Sequence, residues 1–225
     1  MKIVGGWSED PLWAHVYDWM VEHPVAGGAA FRAGLGSPLR LLHEATYELG
    51  ILPAGTRVLD VPCGGGVGLR GVRPGQGLDY LAVDVSEAML RRTREAAHAR
   101  GGGDQVTAVR ADVRALPYPD GHVDRVLTLT GLHCFPDPAA AVAEMARVLR
   151  PGGVLTGSTV LEEAGPRWWP MRVGGRLGGI LGPGVTAAQV RDLLAAHGMV
   201  DVDLQVTGAL GYVRARRDDA PGQPR

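Results

Sequence analysis

The sequence predicts a doubly wound α/β fold: seven strands, mostly parallel, with an antiparallel pair at the C-terminal end and helices capping the N-terminal side. Three features carry that expectation. Short apolar runs alternate with segments of helical period between residues 57 and 160, the pattern of a parallel sheet wound by helices. Two of those runs end abruptly, one in the glycine-rich turn after Asp60 and one on Asp84. Only Thr207-Gly208 separates the apolar runs 199–206 and 209–216, a gap too short for a crossover, so those two strands pair antiparallel.

Residues 8–23 and 37–50 carry helical periodicity, with Leu39, Leu42, Ala45 and Leu49 on one face. Residues 1–52 therefore form an N-terminal helical cap, closed by Pro53-Ala54-Gly55. A strand at 57–61 leads into a short helix near 66–71, followed by a strand at 79–84. The helix at 86–100 has Ser86 as its N-cap and Gly101-Gly102-Gly103 as its stop. Strands at 105–110 and 123–129 follow. A helix at 138–150 starts at Asp137-Pro138 and stops at Pro151-Gly152-Gly153, and a strand at 153–160 comes next. Residues 161–185 are glycine-rich and read as a lid insertion, before a helix at 186–197 and the closing strand pair. The ligand-binding domain thus spans 53–216, and the polar tail 217–225 is expected to be disordered.

The bulk numbers exclude several function classes. A chain of 225 residues with 45% hydrophobic and 21% charged residues fits one ordinary globular domain with trimmings. A formal charge of −1 offers no basic stripe for nucleic acid. No stretch approaches the ~18 apolar residues of a membrane helix. Two cysteines, Cys63 and Cys134, make neither a disulfide framework nor a metal site, though neighbouring strands could bring them near each other. The expectation is a cytoplasmic monomer or homodimer that takes a small-molecule substrate.

The turn Asp60-Val61-Pro62-Cys63-Gly64-Gly65-Gly66 carries the chemistry. Its glycines let backbone approach a ligand, and an acid at the next strand end, Asp84, can take both hydroxyls of a ribose. This Rossmann-like arrangement says nucleoside cofactor. In a dinucleotide site the helix N-terminus faces a pyrophosphate, beside which Asp60 would be unfavourable. An acid there suits an ammonium group, which turns the reading from a dinucleotide to S-adenosyl-L-methionine.

At this point the sequence resembles the class I S-adenosylmethionine-dependent methyltransferases. Val58-Leu59-Asp60 with Gly64 and Gly66 is similar to the family's first motif, with Pro62 where the family usually has its first glycine. Asp84 in Val83-Asp84-Val85-Ser86-Glu87-Ala88-Met89-Leu90 resembles its ribose-binding acid. Asp112-Val113-Arg114-Ala115-Leu116-Pro117-Tyr118, the blocks Asp124–Leu127 and Leu132–Pro138, and Leu149-Arg150-Pro151-Gly152-Gly153 resemble later family segments in order and spacing. The resemblance implies that Asp84 holds the ribose, worth roughly 1.5–3 kcal/mol per charge-assisted bond. It implies that Asp112 and the Val113 amide read the adenine and that Val85 and Met89 sandwich it. Asp60, Cys63, Gly64, Gly66 and Leu129 would surround the methionyl part. Asp124 reads instead as a strand cap.

Methyl transfer from a sulfonium needs alignment and exclusion of water more than strong acid–base help. If the acceptor is a hydroxyl, His133 after the fourth strand is the first candidate base and His15 the second. Trp7, His15 and Tyr17 in the cap, with Trp168 and Trp169 in the insertion, would line an apolar or aromatic acceptor pocket. Arg172 would meet an acidic group on the acceptor. A protein of the same fold that binds the cofactor without methylating, a cyclase or scaffold, is the alternative.

Overall fold

The computed structural model describes residues 12–219 except 164, 166–167, 178 and 180, with backbone alone for 12–15, 18 and 170–171. Seven helices and seven strands are described: α1 (Leu12–Glu22), α2 (Ala26–Leu35), α3 (Leu39–Tyr47), β1 (Arg57–Asp60), β2 (Asp79–Asp84), α4 (Glu87–Ala99), β3 (Val106–Arg110), β4 (Val123–Thr128), α5 (Pro138–Val148), β5 (Leu149–Val160), α6 (Trp169–Leu177), α7 (Ala187–Ala196), β6 (Met199–Thr207) and β7 (Leu210–Arg217). The strands form one sheet in the order β3-β2-β1-β4-β5-β7-β6. All neighbouring pairs are parallel except those made by β7, which runs antiparallel to β5 and β6. The strand order reverses between β1 and β4, which opens the crevice at the strand carboxyl ends where ligands of such folds bind.

Both faces of the sheet are covered, so its central strands are apolar on both sides. One face sends Leu59, Leu81, Val126, Leu155 and Val213 against residues of α5 and α7, including Met145 and Val190. The other sends Val58, Tyr80, Ala82 and Leu127 against Val21, Phe31, Leu42 and Leu90 of α1–α4. Ser86 caps α4 by accepting from the Met89 amide, and Asp137 caps α5 by accepting from the Ala140 amide.

Several local expectations need correcting. Helix α2 is absent from the sequence reading because Gly27, Gly28 and Gly34 look like breakers. Tertiary packing overrides propensity here: a Cβ on Gly27 would lie 1.8 Å from the Met20 carbonyl oxygen, so glycine lets α1 and α2 touch. Residues Val67–Gly71 form a 3₁₀ turn rather than an α-helix. Pro151-Gly152-Gly153 does not separate helix from strand; β5 already begins at Leu149, paired with Val123, and the register shifts before Arg125 pairs with Val154. The 161–185 segment contains helix α6 and is tied down at its ends by a parallel bridge between Leu161 and Val185. Arg217 completes β7, and the Asp218 amide donates to the Gly198 carbonyl, so 217–219 belong to the sheet edge; residues 220–225 lie outside the described residues. Among the described residues, no helix is long and apolar enough to cross a membrane.

Candidate active site at the strand carboxyl ends

Asp60 ends β1 at the switch point, and the following turn is stitched to both neighbours. The Val61 amide donates to Leu127 of β4 and the Cys63 amide to Val83 of β2, each at 2.9 Å. Gly64 and Gly66 have φ of 51° and 88°, the left-handed region that disfavours a side chain. The Val61–Pro62 peptide is cis. Room for the Pro62 ring comes from Gly131, where a Cβ would lie 2.5 Å from Pro62 Cδ. Thr93 of α4 donates its hydroxyl to the Gly64 carbonyl at 2.7 Å. Burial pushes the Cys63 thiol up, helped by the charges of Asp60 and Asp84.

Two buried carboxylates converge on this turn. Asp84 is 5% exposed; it accepts from the Gly64 amide at 3.1 Å and the Ser86 amide at 2.9 Å. Burial raises its pKa, opposed by the amide donors of Ser86, Gly64 and Val85. Asp60 is 1% exposed and accepts from the Tyr80 hydroxyl at 2.6 Å. Burial pushes its pKa up to about 7, opposed by the Tyr80 bond and reinforced by the charge on Asp84. Among the described residues neither carboxylate has an ion-pair partner. A buried acid pair without a cation is costly. It matches a ligand that brings a positive charge and sugar hydroxyls, so the donor set fits S-adenosylmethionine.

The remaining expected cofactor residues sit around this centre with different access. Val85 is 46% exposed, whereas Met89 is only 1% exposed, so Val85 offers open surface and Met89 is buried. Val113 and Leu129 are also buried. Asp112 is partly open, and Arg114 grips its carboxylate through both oxygens, with Nη2 donating to Oδ2 at 2.6 Å. That bond is the main reason the Asp112 carboxyl lies below its ordinary range. Downstream, Glu144 of α5 accepts from the Leu116 amide while Arg147 donates to the Tyr118 carbonyl, both at 2.9 Å. This clamp fixes where the Asp112–Val113 segment runs. Asp124 caps the opposite end of β4, accepting from the Arg57 amide and the Arg150 side chain.

After β4 the chain makes a strained corner. Thr130 has φ of 50°, a genuine outlier for a β-branched residue. Three bonds surround it: its amide donates to Ser158 Oγ at 3.0 Å, its hydroxyl donates to the Leu129 carbonyl at 2.7 Å, and Tyr17 Oη of α1 lies 3.2 Å from that hydroxyl. His133 is 8% exposed. Its Nδ1 accepts from the Val160 amide at 3.2 Å and lies 3.3 Å from the Thr159 hydroxyl. Burial lowers its pKa to about 4, so the ring is neutral at physiological pH. Cys63 accepts from the Thr93 hydroxyl, and Cys134 donates to the Thr130 carbonyl.

The expected acceptor pocket is only partly assembled. Tyr17 reaches the β4 corner. Trp168 is 8% exposed and belongs to the core with Val160 and Leu210, so it cements the insertion to the sheet. Trp169 is 61% exposed. Arg172 does not stand free for an acidic substrate group: it donates to the Glu162 carbonyl and pairs with the Glu162 carboxylate, which Arg176 also engages at 2.8 Å. Trp7 and the His15 side chain lie outside the described residues. Sequence reasoning missed Tyr80, Arg114, Thr130, Ser158 and the Glu144–Arg147 clamp. Tyr80 had a readable signal, since residues 80, 82 and 84 of one strand share a face. Thr130 had none, because a left-handed threonine is set by tertiary bonds.

This sheet order, with a glycine turn after β1 and an acid ending β2, defines a nucleoside-binding α/β protein of methyltransferase type. A methyltransferase domain model matches residues 59–156. The chain is 35% identical over 122 residues to a ubiquinone/menaquinone biosynthesis C-methyltransferase from Ectopseudomonas oleovorans, covering 52% of this chain and 71% of that protein. It is 41% identical over 122 residues to an uncharacterized chloroplastic methyltransferase of Arabidopsis thaliana, covering 52% of this chain and 35% of the relative. Among solved structures it is similar to the [4+2]-cyclase SpnF, with a TM-score of 0.66 at 23% identity, over 80% of this chain and 81% of that one. The chain belongs to the class I S-adenosylmethionine-dependent methyltransferases. The chain matches between 32% and 44% of the lengths of three curated relatives, two of them Arabidopsis proteins.

Proposed function

We propose that this protein transfers a methyl group from S-adenosyl-L-methionine to a small, apolar or aromatic acceptor. The observation that carries the reading is the buried pair Asp60 and Asp84, without a cationic partner among the described residues, converging on a left-handed glycine turn. Asp84 would hold the ribose hydroxyls, sharing its oxygens with the Gly64 and Ser86 amides. Asp60 would face the ammonium group, with Cys63, Gly64, Gly66 and Leu129 around the methionyl chain. Val85 and the Asp112–Val113 segment would meet the adenine, Arg114 yielding part of its grip on Asp112, with Met89 supporting from below. When bound, the cofactor supplies a methyl group already activated on a sulfonium. The chain's own residues then need only orient the acceptor and exclude water.

The cap 1–52 would close over the domain 53–216, and Tyr17 with Thr130 would meet the acceptor where β4 ends. His133 is better suited to bracing than to proton transfer: its Nδ1 already accepts from Val160, and a group of pKa about 4 is a weak base for a phenol or alcohol. The acceptor's proton would leave to solvent water. We assign Trp168 and Arg172 to holding the 161–185 segment in place, and Trp7, His15 and Trp169 remain candidates for the acceptor side.

The test is incubation with methyl-labelled S-adenosylmethionine and a panel of phenols, quinols and macrolide-like alcohols. Transfer of label to at least one small acceptor is expected. Tight cofactor binding with no transfer to any acceptor would sink the methyltransferase reading and favour the cyclase or scaffold alternative.

A further inference from the structure

Tyr80 lies in the middle of the buried sheet, 0% exposed, four residues before Asp84 on β2 and opposite Val58 of β1, two residues before Asp60. A phenol hydroxyl in such a place needs a partner, and it finds one in Asp60 Oδ2 at 2.6 Å. The pair is closed in by Gly68: a Cβ there would lie 2.3 Å from Tyr80 Oη and 2.9 Å from Asp60 Oδ2. The 3₁₀ turn after the glycine loop can therefore lie directly over the bond. The other titratable groups facing Asp60 are Asp84 and the Cys63 thiol; among the described residues none of these partners is cationic.

We propose that Tyr80 is a positioning residue for Asp60, fixing its carboxylate in one orientation and favouring its ionised form for the cofactor's ammonium group. This rests on the cofactor reading above. Its physical basis is asymmetric: a hydrogen bond donated to a carboxylate stabilises the charged form, whereas burial and Asp84 both oppose it. Removing the hydroxyl leaves Asp60 with only the opposing influences. Tyr80→Phe keeps the ring and so keeps the packing.

The experiment is calorimetric titration of S-adenosylhomocysteine into wild type and Tyr80→Phe between pH 6 and 8.5. Comparison at equal pH cancels the ligand's own titration. Loss of one charge-assisted bond raises the Asp60 midpoint by about one pH unit. The variant should therefore bind about ten-fold more weakly at pH 6, and within about two-fold of wild type at pH 8.5. A carboxyl ¹³C titration of Asp60 in the ligand-free protein gives a second readout, with its midpoint expected to move up in the variant. A loss of affinity that is the same at every pH, with an unmoved Asp60 midpoint, would overturn the proposal while leaving the cofactor site intact. Wild type that binds no S-adenosylhomocysteine at any pH would instead remove the cofactor reading and this inference with it.

Discussion

Asp60 is held in a state that suits a ligand better than it suits the empty fold. Its unfolded carboxyl titrates near 3.8 and its folded one at about 7, so the folded state binds the proton more tightly. The stability this contributes is fully present below the unfolded value and is lost as pH rises through about 7. Above that pH the ligand-free protein carries a buried negative charge with no cationic partner among the described residues. Asp60→Asn should therefore raise stability at pH 8 by more than about 1 kcal/mol while weakening cofactor binding. Urea unfolding at pH 8 and at pH 4 checks this, with little change expected at pH 4; equal stability at both would contradict the assignment. His133 acts in the opposite direction. Burial lowers its pKa to about 4 from 6.5, so the unfolded state takes up the proton first and stability falls as pH drops through that window. The two slopes oppose each other and nearly cancel between about pH 4 and 6.5.

At the scale of elements, glycines decide how closely the cap approaches the sheet. A Cβ on Gly71 would lie 1.7 Å from the Thr46 carbonyl oxygen, which is backbone and cannot swing away. Gly71→Ala should push the 3₁₀ turn off α3 and cost about 1–3 kcal/mol, as overpacking does, seen as a lower urea midpoint with an unchanged slope. A midpoint equal to wild type would mean that the contact is not maintained in solution. The same physics explains what the sequence could and could not reveal. β1, β2 and the Ser86 and Asp137 caps were legible because local pattern and tertiary structure agree there. Helix α2 was not, since Gly27 reads locally as a breaker and only the Met20 backbone explains it. The site divides in the same way. Asp60, Gly64, Gly66 and Asp84 stand out by chemistry at strand ends, whereas the grip of Arg114 on Asp112 and of Glu162 on Arg172 depends on partners that spacing does not announce.

For the whole molecule, the sheet places one acid at the end of each of the two strands flanking the glycine turn, and the cap contributes Tyr17 to the same end. On the proposed function, cofactor recognition would belong to the sheet, and acceptor recognition to the cap and the β4 corner. The central claim is that S-adenosylmethionine binds at this acid pair. It is tested most directly by calorimetric titration of S-adenosylhomocysteine into wild type and Asp84→Ala at pH 8, with thermal unfolding of each alone and with ligand. At about 100 times the dissociation constant, ligand should stabilise wild type by about 2.7 kcal/mol. Asp84→Ala should remain folded and bind at least about ten-fold more weakly, the equivalent of one lost charge-assisted bond. No binding to wild type, or equal binding to the folded variant, would contradict the account.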